Sequence, residues 1–288
     1  MEFDTQQIEY ETFSPVQRAV KAAIVNPFAN YAPAGFIKAL LRWGDSELAK
    51  ASWSDPGGWR SMVISYKGDP EKLADRVLVG AGTIPTALRN RKRLAAHLLA
   101  KLIDVQDRDP VHVLGLGAGP GMVITQAMTM AEKPSRATMV DISSDAFEFG
   151  RQHAAELGLE DRVRFIECDV RDVEQFLDSP PDIVQMLGIC EYLDDEHIVS
   201  IASAAADIMP AGQPIVFNSI SRAHGTDRFF RRVFGLHMNH RNPEKLQTLM
   251  RRAGFDDFET FAEPLGVYHV CVGRRTDQPV SPADSGQE

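Results

Sequence analysis

The stretch Val111-His-Val-Leu-Gly-Leu-Gly-Ala-Gly-Pro-Gly-Met122 constrains this chain more than any other. A short apolar run with alternating β-branched residues reads as a buried strand. It runs into four glycines at alternate positions, Gly115, Gly117, Gly119 and Gly121, and Met122 to Met128 behind them has helical character. Strand, glycine turn and helix together open a nucleotide-binding βαβ unit. The backbone must turn tightly there and admit a ligand with no Cβ in the way.

Spacing narrows the ligand. The dinucleotide pattern G-x-G-x-x-G fails in every register, because its last glycine would fall on Pro120, Met122 or Ile124. No lysine follows the glycines, so the phosphate-cradling G-x-x-x-x-G-K-[ST] fails as well. What remains is G-x-G-x-G, from Gly117 to Gly121. Two further strands then end in acids. Arg136–Ile142 carries Asp141, 20 residues past Gly121, and Arg162–Val170 carries Asp169. A carboxylate at the tip of the second strand can accept from both ribose hydroxyls of a nucleotide. For either acid alone the plain alternative is a helix N-cap.

These residues resemble the class I S-adenosylmethionine (SAM) dependent methyltransferases, whose first motif has the G-x-G-x-G form. The resemblance covers residues 85–273. It implies a Rossmann-like α/β fold: a seven-stranded, mostly parallel sheet with helices on both faces and an antiparallel last strand. To this the sequence adds an N-terminal helical cap. The cofactor implied is SAM, held by Gly115, Gly117, Gly119, Asp141, Ile142, Asp169, Val170, Leu187 and Gly188, with Asp169 accepting from the adenine amino group. One departure matters. The family usually has an acid two residues before the first motif glycine, and here that position is Gly115.

The fourth strand, within Asp182–Leu193, and the fifth, Pro214–Ser221, should open at the same sheet edge. Residues on the carboxyl edge of an open parallel sheet carry function. Glu191 and Tyr192 are candidates to orient a substrate amine or act as a base, and Asn218 joins them as a catalytic candidate. Ser219 and Tyr31 are substrate-side candidates. Core packing is the competing role for Tyr192, and a surface helix start for Glu191.

The helix Thr83–Ile103 has an apolar stripe of Leu88, Ala95, Leu98 and Leu102, and Arg91 falls on it. A buried guanidinium needs a partner. That partner is either the methionine carboxylate of SAM or a carboxylate of the chain itself. The neighbouring Arg89, Lys92 and Arg93 should point elsewhere.

Organisation follows: residues 1–80 as a helical cap or lid holding all three tryptophans, 81–273 as the SAM-binding domain, and 274–288 as a disordered tail. Within the cap, Val16–Val25 and Gly35–Trp43 read as helices, Asn26–Pro33 as loop and Trp59–Tyr66 as a strand. Arg222–Asn242 reads as a substrate-side loop. Its histidines lack the further ligands a metal site needs, so no metal is expected. A net charge of −9 argues against nucleic acid as partner. Three cysteines cannot form a disulfide framework, and nothing marks a leader or a membrane span. A cytoplasmic enzyme acting on a small molecule is the expectation. Methyl transfer leads. The alternative is other use of SAM on the same fold, either cyclisation to azetidine-2-carboxylate or aminocarboxypropyl transfer, both releasing methylthioadenosine.

Overall fold

A computed structural model describes residue 5 and residues 7–277. The chain divides into two compact units. One draws on the chain up to Leu94 together with Ile220–His240 and Ala262–His269; the other on Ala95–Ser219, Arg241–Phe261 and the chain from Val270. The first unit is therefore more than the expected cap of residues 1–80. The excursion after the fifth strand belongs to it.

In the first unit, α1 (Pro15–Val20) passes through a π-helical turn, Lys21–Val25, into α2 (Asn26–Tyr31). A capping box starts α1: Ser14 Oγ accepts from the Gln17 N–H at 3.2 Å, and Gln17 Oε1 accepts from the Ser14 N–H at 2.8 Å. The loop expected over 26–33 is mostly helix, because Pro27 falls in the first turn of α2, where a missing N–H is tolerated. Then come α3 (Ala34–Trp43), α4 (Glu47–Ser54), α5 (Trp59–Lys67), α6 (Leu73–Asp75), a second π-helical turn at Arg76–Gly80, and α7 (Thr83–Asp104). The strand expected at Trp59–Tyr66 is α5. Trp59, Met62, Val63 and Tyr66 recur at helical spacing, which outweighs their β-propensity.

This unit has its own core. Ile37 and Leu41, one turn apart on α3, pack with Ala49, Phe229, Val233 and Phe234. The Trp53 indole N–H donates to the Val233 carbonyl at 2.9 Å. Residues 222–242, expected as a loop, thus supply core: their aromatic side chains find apolar partners on α3 and α4.

The basic cluster on α7 is not a solvated face. Arg89 is buried and holds Glu11 through Nε, at 2.8 and 2.9 Å, and Nη2, at 2.6 Å. Its Nη1 donates to the Ser65 and Val79 carbonyls. Asn90 adds a two-way clamp, with Glu11 N–H donating to Oδ1 at 2.9 Å and Nδ2 donating to the Glu11 carbonyl at 2.8 Å. A buried charge is tolerable when paired and fully hydrogen-bonded, and this one pins the segment before α1.

In the second unit, β1 (Val111–Leu116), β2 (Ser135–Asp141), β3 (Val163–Glu167), β4 (Ile183–Met186) and β5 (Pro214–Ile220) are parallel. With β6 (Phe255–Ala262) and β7 (Tyr268–Arg275) they form one sheet, ordered β3-β2-β1-β4-β5-β7-β6. β7 is antiparallel to β5. The Ser221 N–H meets the Val267 carbonyl at one end, while Gln213 accepts from the Arg275 N–H at the other. β7 also takes in Arg274 and Arg275, which the sequence placed in the tail; the tail beyond Asp277 lies outside the described residues.

The helices of this unit are α8 (Met122–Met130), α9 (Phe147–Glu156) and α10 (Asp195–Ile208). After α11 (Asp227–Phe229) of the first unit comes α12 (Pro243–Arg252). A buried cluster including Leu114, Val184, Met186, Ile198, Phe217, Leu246 and Phe255 joins the sheet to α10 and α12. The strand order reverses between β1 and β4. In open parallel sheets that reversal leaves a crevice at the carboxyl edge.

The Arg89–Glu11 pair has a pH signature. Hydrogen bonds from Arg89, helped by Arg93, hold the Glu11 carboxyl below the ordinary glutamate range, against burial, which acts upward. A depressed folded value adds stability above the unfolded value of 4.5 and loses it as pH falls through the folded value. Glu11 is 36% exposed, so the Glu11→Gln loss at neutral pH should be about 1 kcal/mol or less. Urea unfolding at about pH 7 and about pH 3.5 checks this: the deficit of Glu11→Gln should shrink in acid. A deficit independent of pH would show that charge is not what Arg89 holds.

Candidate active site

The glycine turn between β1 and α8 is built on left-handed backbone. Gly117, Gly119 and Gly121 have φ of 58°, 51° and 72°, a region that costs L-residues with a Cβ free energy. Space forbids a side chain as well. A Cβ on Gly117 would lie 2.4 Å from Ile189 Cγ2, and one on Gly121 2.8 Å from Met139 Cε. Gly115 differs. It lies inside β1, and a Cβ there would meet Ile124 Cδ1 at 2.7 Å. Its role is close packing of α8 on the strand. A side chain at this position, where the family usually has an acid, would require Ile124 to give way.

Asp141 ends β2 and turns toward this loop. Its Oδ2 accepts from the Gly119 N–H at 2.9 Å and its Oδ1 from the Ser143 N–H at 3.2 Å. The carboxylate thus holds the glycine turn while remaining partly exposed. Ile142 beside it is 75% exposed, a large apolar side chain standing clear of the core. The α8 N-terminus, capped by left-handed Gly121 without a side-chain hydrogen bond, completes this side of the crevice.

Asp169 follows β3 and caps the 3-10 turn Val170–Phe176, accepting from the Arg171 N–H at 2.9 Å. Arg171 also holds the carboxylate through Nε, at 2.8 Å, and Nη2. Those bonds pull its pKa down to about 2, so it is an ionised acceptor at any ordinary pH. Val170 is buried behind it. The helix-cap alternative and the ligand role use different lone pairs of one group, since a carboxylate offers about four acceptor sites.

Across the strand-order reversal, Leu187 and Gly188 leave β4. Gly188 is left-handed, with φ of 82°, and its N–H donates to Asn218 Oδ1 at 2.8 Å. Asn218 Nδ2 reaches Glu191 Oε2 at 3.5 Å. Both side chains are buried, Glu191 at 3% exposure, so the surface helix start considered for Glu191 is not what the chain builds. Next on β5, the Ser219 hydroxyl is buried and has no hydrogen-bond partner among the described residues. Tyr192 is 40% exposed, hence not core. Glu191, Asn218 and Ser219 together form a polar edge on β4 and β5.

Two further residues matter here, Ile189, which the sequence places at the crevice edge, and Arg241, which it does not single out. Ile189 packs against Gly117 and ties the β4 exit to the glycine turn. Arg241 holds the loop that carries Glu191. Its Nη1 and Nη2 donate to the Cys190 and Leu193 carbonyls, each at 2.8 Å, and its Nε to Asp195 at 2.8 Å. No motif betrays Arg241; only folding brings it 50 residues back. Burial pushes the Cys190 thiol far up, so that cysteine stays protonated.

The remaining candidates lie in the first unit. Arg91 is buried there, with Nη2 donating to Tyr66 Oη at 2.8 Å and the guanidinium 4.7 Å from the centre of the Tyr268 ring. The chain therefore gives the charge partners of its own. Tyr31 is exposed, with Arg228 over its ring at 5.1 Å. His224 and His240 face one another, Nε2 to Nε2 at 2.9 Å, and burial lowers both pKa values, that of His224 to about 4.

Residues 113–212 match a methyltransferase domain family. Among curated proteins, a tRNA 5-carboxymethoxyuridine methyltransferase from Escherichia coli is 29% identical over 89 residues, 31% of this chain and 33% of that protein. The chain thus spans about a third of the length of the curated relatives it matches. A possible exported protein from Bordetella parapertussis has a similar fold, with a TM-score of 0.63 at 15% identity over 76% of this chain and 79% of the other. So does the magnesium protoporphyrin IX methyltransferase of Synechocystis PCC 6803 solved with bound SAH, with a TM-score of 0.56 at 13% identity over 83% and 99%. Residues 113–212 thus match a methyltransferase domain, and the left-handed G-x-G-x-G turn and the sheet order give the chain the fold it shares with the magnesium protoporphyrin IX methyltransferase.

Proposed function

We propose that this protein transfers the methyl group of SAM to a small-molecule acceptor at the carboxyl edge of β1, β4 and β5. The observation that carries the reading is the glycine cradle: three left-handed glycines, with Asp141 fixed on one side and a buried polar edge on the other. The residues present fit the cofactor. Gly117 and Gly119 admit it closely, Asp141 accepts from the ribose hydroxyls, and Ile142 covers a face of the adenine. Asp169 takes the adenine amino group, and Val170, Leu187 and Gly188 line the walls.

Bound SAM supplies an electrophilic methyl group on a sulfonium whose departing thioether is neutral. The protein has little acid–base work to do on the leaving group and much positioning. Glu191, on a loop clamped by Arg241 and next to Asn218, takes the acceptor's proton or orients an acceptor amine. Asn218 ties Glu191 to the Gly188 turn, while Ser219 offers a donor and acceptor on the same edge. Tyr192, half exposed beyond them, faces the acceptor. The net charge of −9 favours a small molecule over a polyanion.

Asp141→Ala should weaken SAM binding by about 1–3 kcal/mol, the cost of leaving ribose donors unpaired, as read by calorimetry. Unchanged affinity would mean that Asp141 serves only the Gly119 N–H.

The absent acid at Gly115 is the observation that keeps a second reading alive. A sulfonium has three electrophilic carbons, and a methionine end held in an unusual way could expose its γ-carbon. Purified protein incubated with SAM alone, with the nucleoside identified by mass spectrometry, separates the two. No turnover until an acceptor is supplied, followed by S-adenosylhomocysteine, is the expected result. Methylthioadenosine formed without acceptor would replace methyl transfer by cyclisation to azetidine-2-carboxylate.

A further inference from the structure

The first unit contains a cavity of about 560 Å³ that the reaction above does not use. Ligand pockets for small molecules typically span roughly 300–1,000 Å³ and are mostly apolar with few polar groups. This one fits. Its floor is the unit's own core, with Ile37, Leu41, Phe229 and Phe234. Its rim carries exposed apolar side chains, among them Val16, Trp43 and Val77. Contiguous exposed apolar surface on a folded protein marks an interaction site.

One cation sits in this apolar wall. The Lys21 ammonium lies over the Phe13 ring, 4.2 Å from its centre, and donates to the Ala81 carbonyl and, at 3.4 Å, to Thr83 Oγ1. Among the described residues no carboxylate pairs with it, and burial lowers its pKa. An ammonium has three protons to give, and one lodged in apolar surroundings gains from a counter-ion. Gln17, one turn before Lys21 on the same helical run, also lines the cavity. Polar capacity is thus gathered around Lys21, and aromatic rings around Phe229 and Phe234.

We propose that this cavity binds an amphipathic small molecule, a carboxylate with a long apolar body of the fatty-acid class, its head on Lys21 and its body against the aromatic floor. A flat protein partner would leave both the concavity and the Lys21 ammonium unmatched.

The full chain is titrated with cis-parinaric acid, a fluorescent fatty acid, then with palmitate and hexadecanol as competitors. Saturable binding of one probe per chain is expected. Lys21→Met should weaken the acids about tenfold, the loss of one charge-assisted contact, and leave the alcohol unchanged. Val77→Trp, a filling substitution at the exposed rim, should weaken both while the melting temperature holds. Absence of saturable binding, or binding indifferent to both variants, overturns the proposal. So does sedimentation showing a dimer that Val77→Trp dissociates while the probe stays unbound, since a second copy would then be the occupant. A parallel calorimetric titration with SAM reports on the cofactor site independently, so either reading can fail alone.

Discussion

The bond from the Gly119 N–H to Asp141 Oδ2 is the small contact on which the second unit's function-bearing edge depends. A turn of three left-handed glycines has no side chains to fix it and loses more conformational entropy on folding than any other segment of its length. It needs anchors from outside. Asp141 supplies one from β2, the Val140 carbonyl another by accepting from the Ala118 N–H, and Ile189 a third by packing where a Gly117 side chain would be. Two residues of β2 and one beyond β4 thereby fix one turn. The same carboxylate is the one whose remaining lone pairs suit ribose hydroxyls. A group that already holds the loop needs no reorganisation to hold a ligand as well.

The opposite wall is organised by charge. Arg241 spends its donors on two loop carbonyls and Asp195, and so fixes the segment on which Glu191 is carried into the interior. An unsupported buried carboxylate would be costly. Asn218 lies beside it, and its own Oδ1 is committed to the Gly188 N–H. The polar edge is thus a continuous set of contacts from β4 to β5 to the start of α12. Moving Glu191 would require breaking several of them together.

Much of this unit was legible in the sequence because its signals are local. Glycine spacing, an acid at each strand tip and the strand–helix alternation all lie within single βαβ repeats, and the sheet order and antiparallel last strand agree with the reading. What escaped depends on distant residues. Arg241 carries no signature until the chain folds. Gly115 reads like a ligand-contacting glycine, and its packing against Ile124 is legible only in the fold. The first unit was least legible. Trp59–Lys67 has strand-like composition but helical spacing, and Phe229, Val233 and Phe234 lie far in sequence from the Ile37 and Leu41 they cover. Arg89 and Arg91, two residues apart, are both buried on α7 because each meets partners on different segments of the unit, which a single apolar stripe cannot express.

The missing acid also bears on the proposed chemistry. Methyl transfer from a sulfonium removes a positive charge from the reacting centre. In the resembled family that acid helps to hold the methionine amino group of the cofactor, so its absence at Gly115 leaves that end of SAM to other groups of the chain. A Cβ on Gly115 would press on Ile124 Cδ1, and β1 carries glycine there. The buried carboxylate available instead is Glu191, on the β4 loop with Asn218 and Ser219. There it suits the acceptor, which gains positive character or loses a proton as the methyl group arrives. On the proposed reading, the acid stands on the nucleophile's side while the cofactor's strand is packed with glycine. β1 gives up side chains so that α8 and the cofactor can approach, and β4 and β5 supply the polar groups.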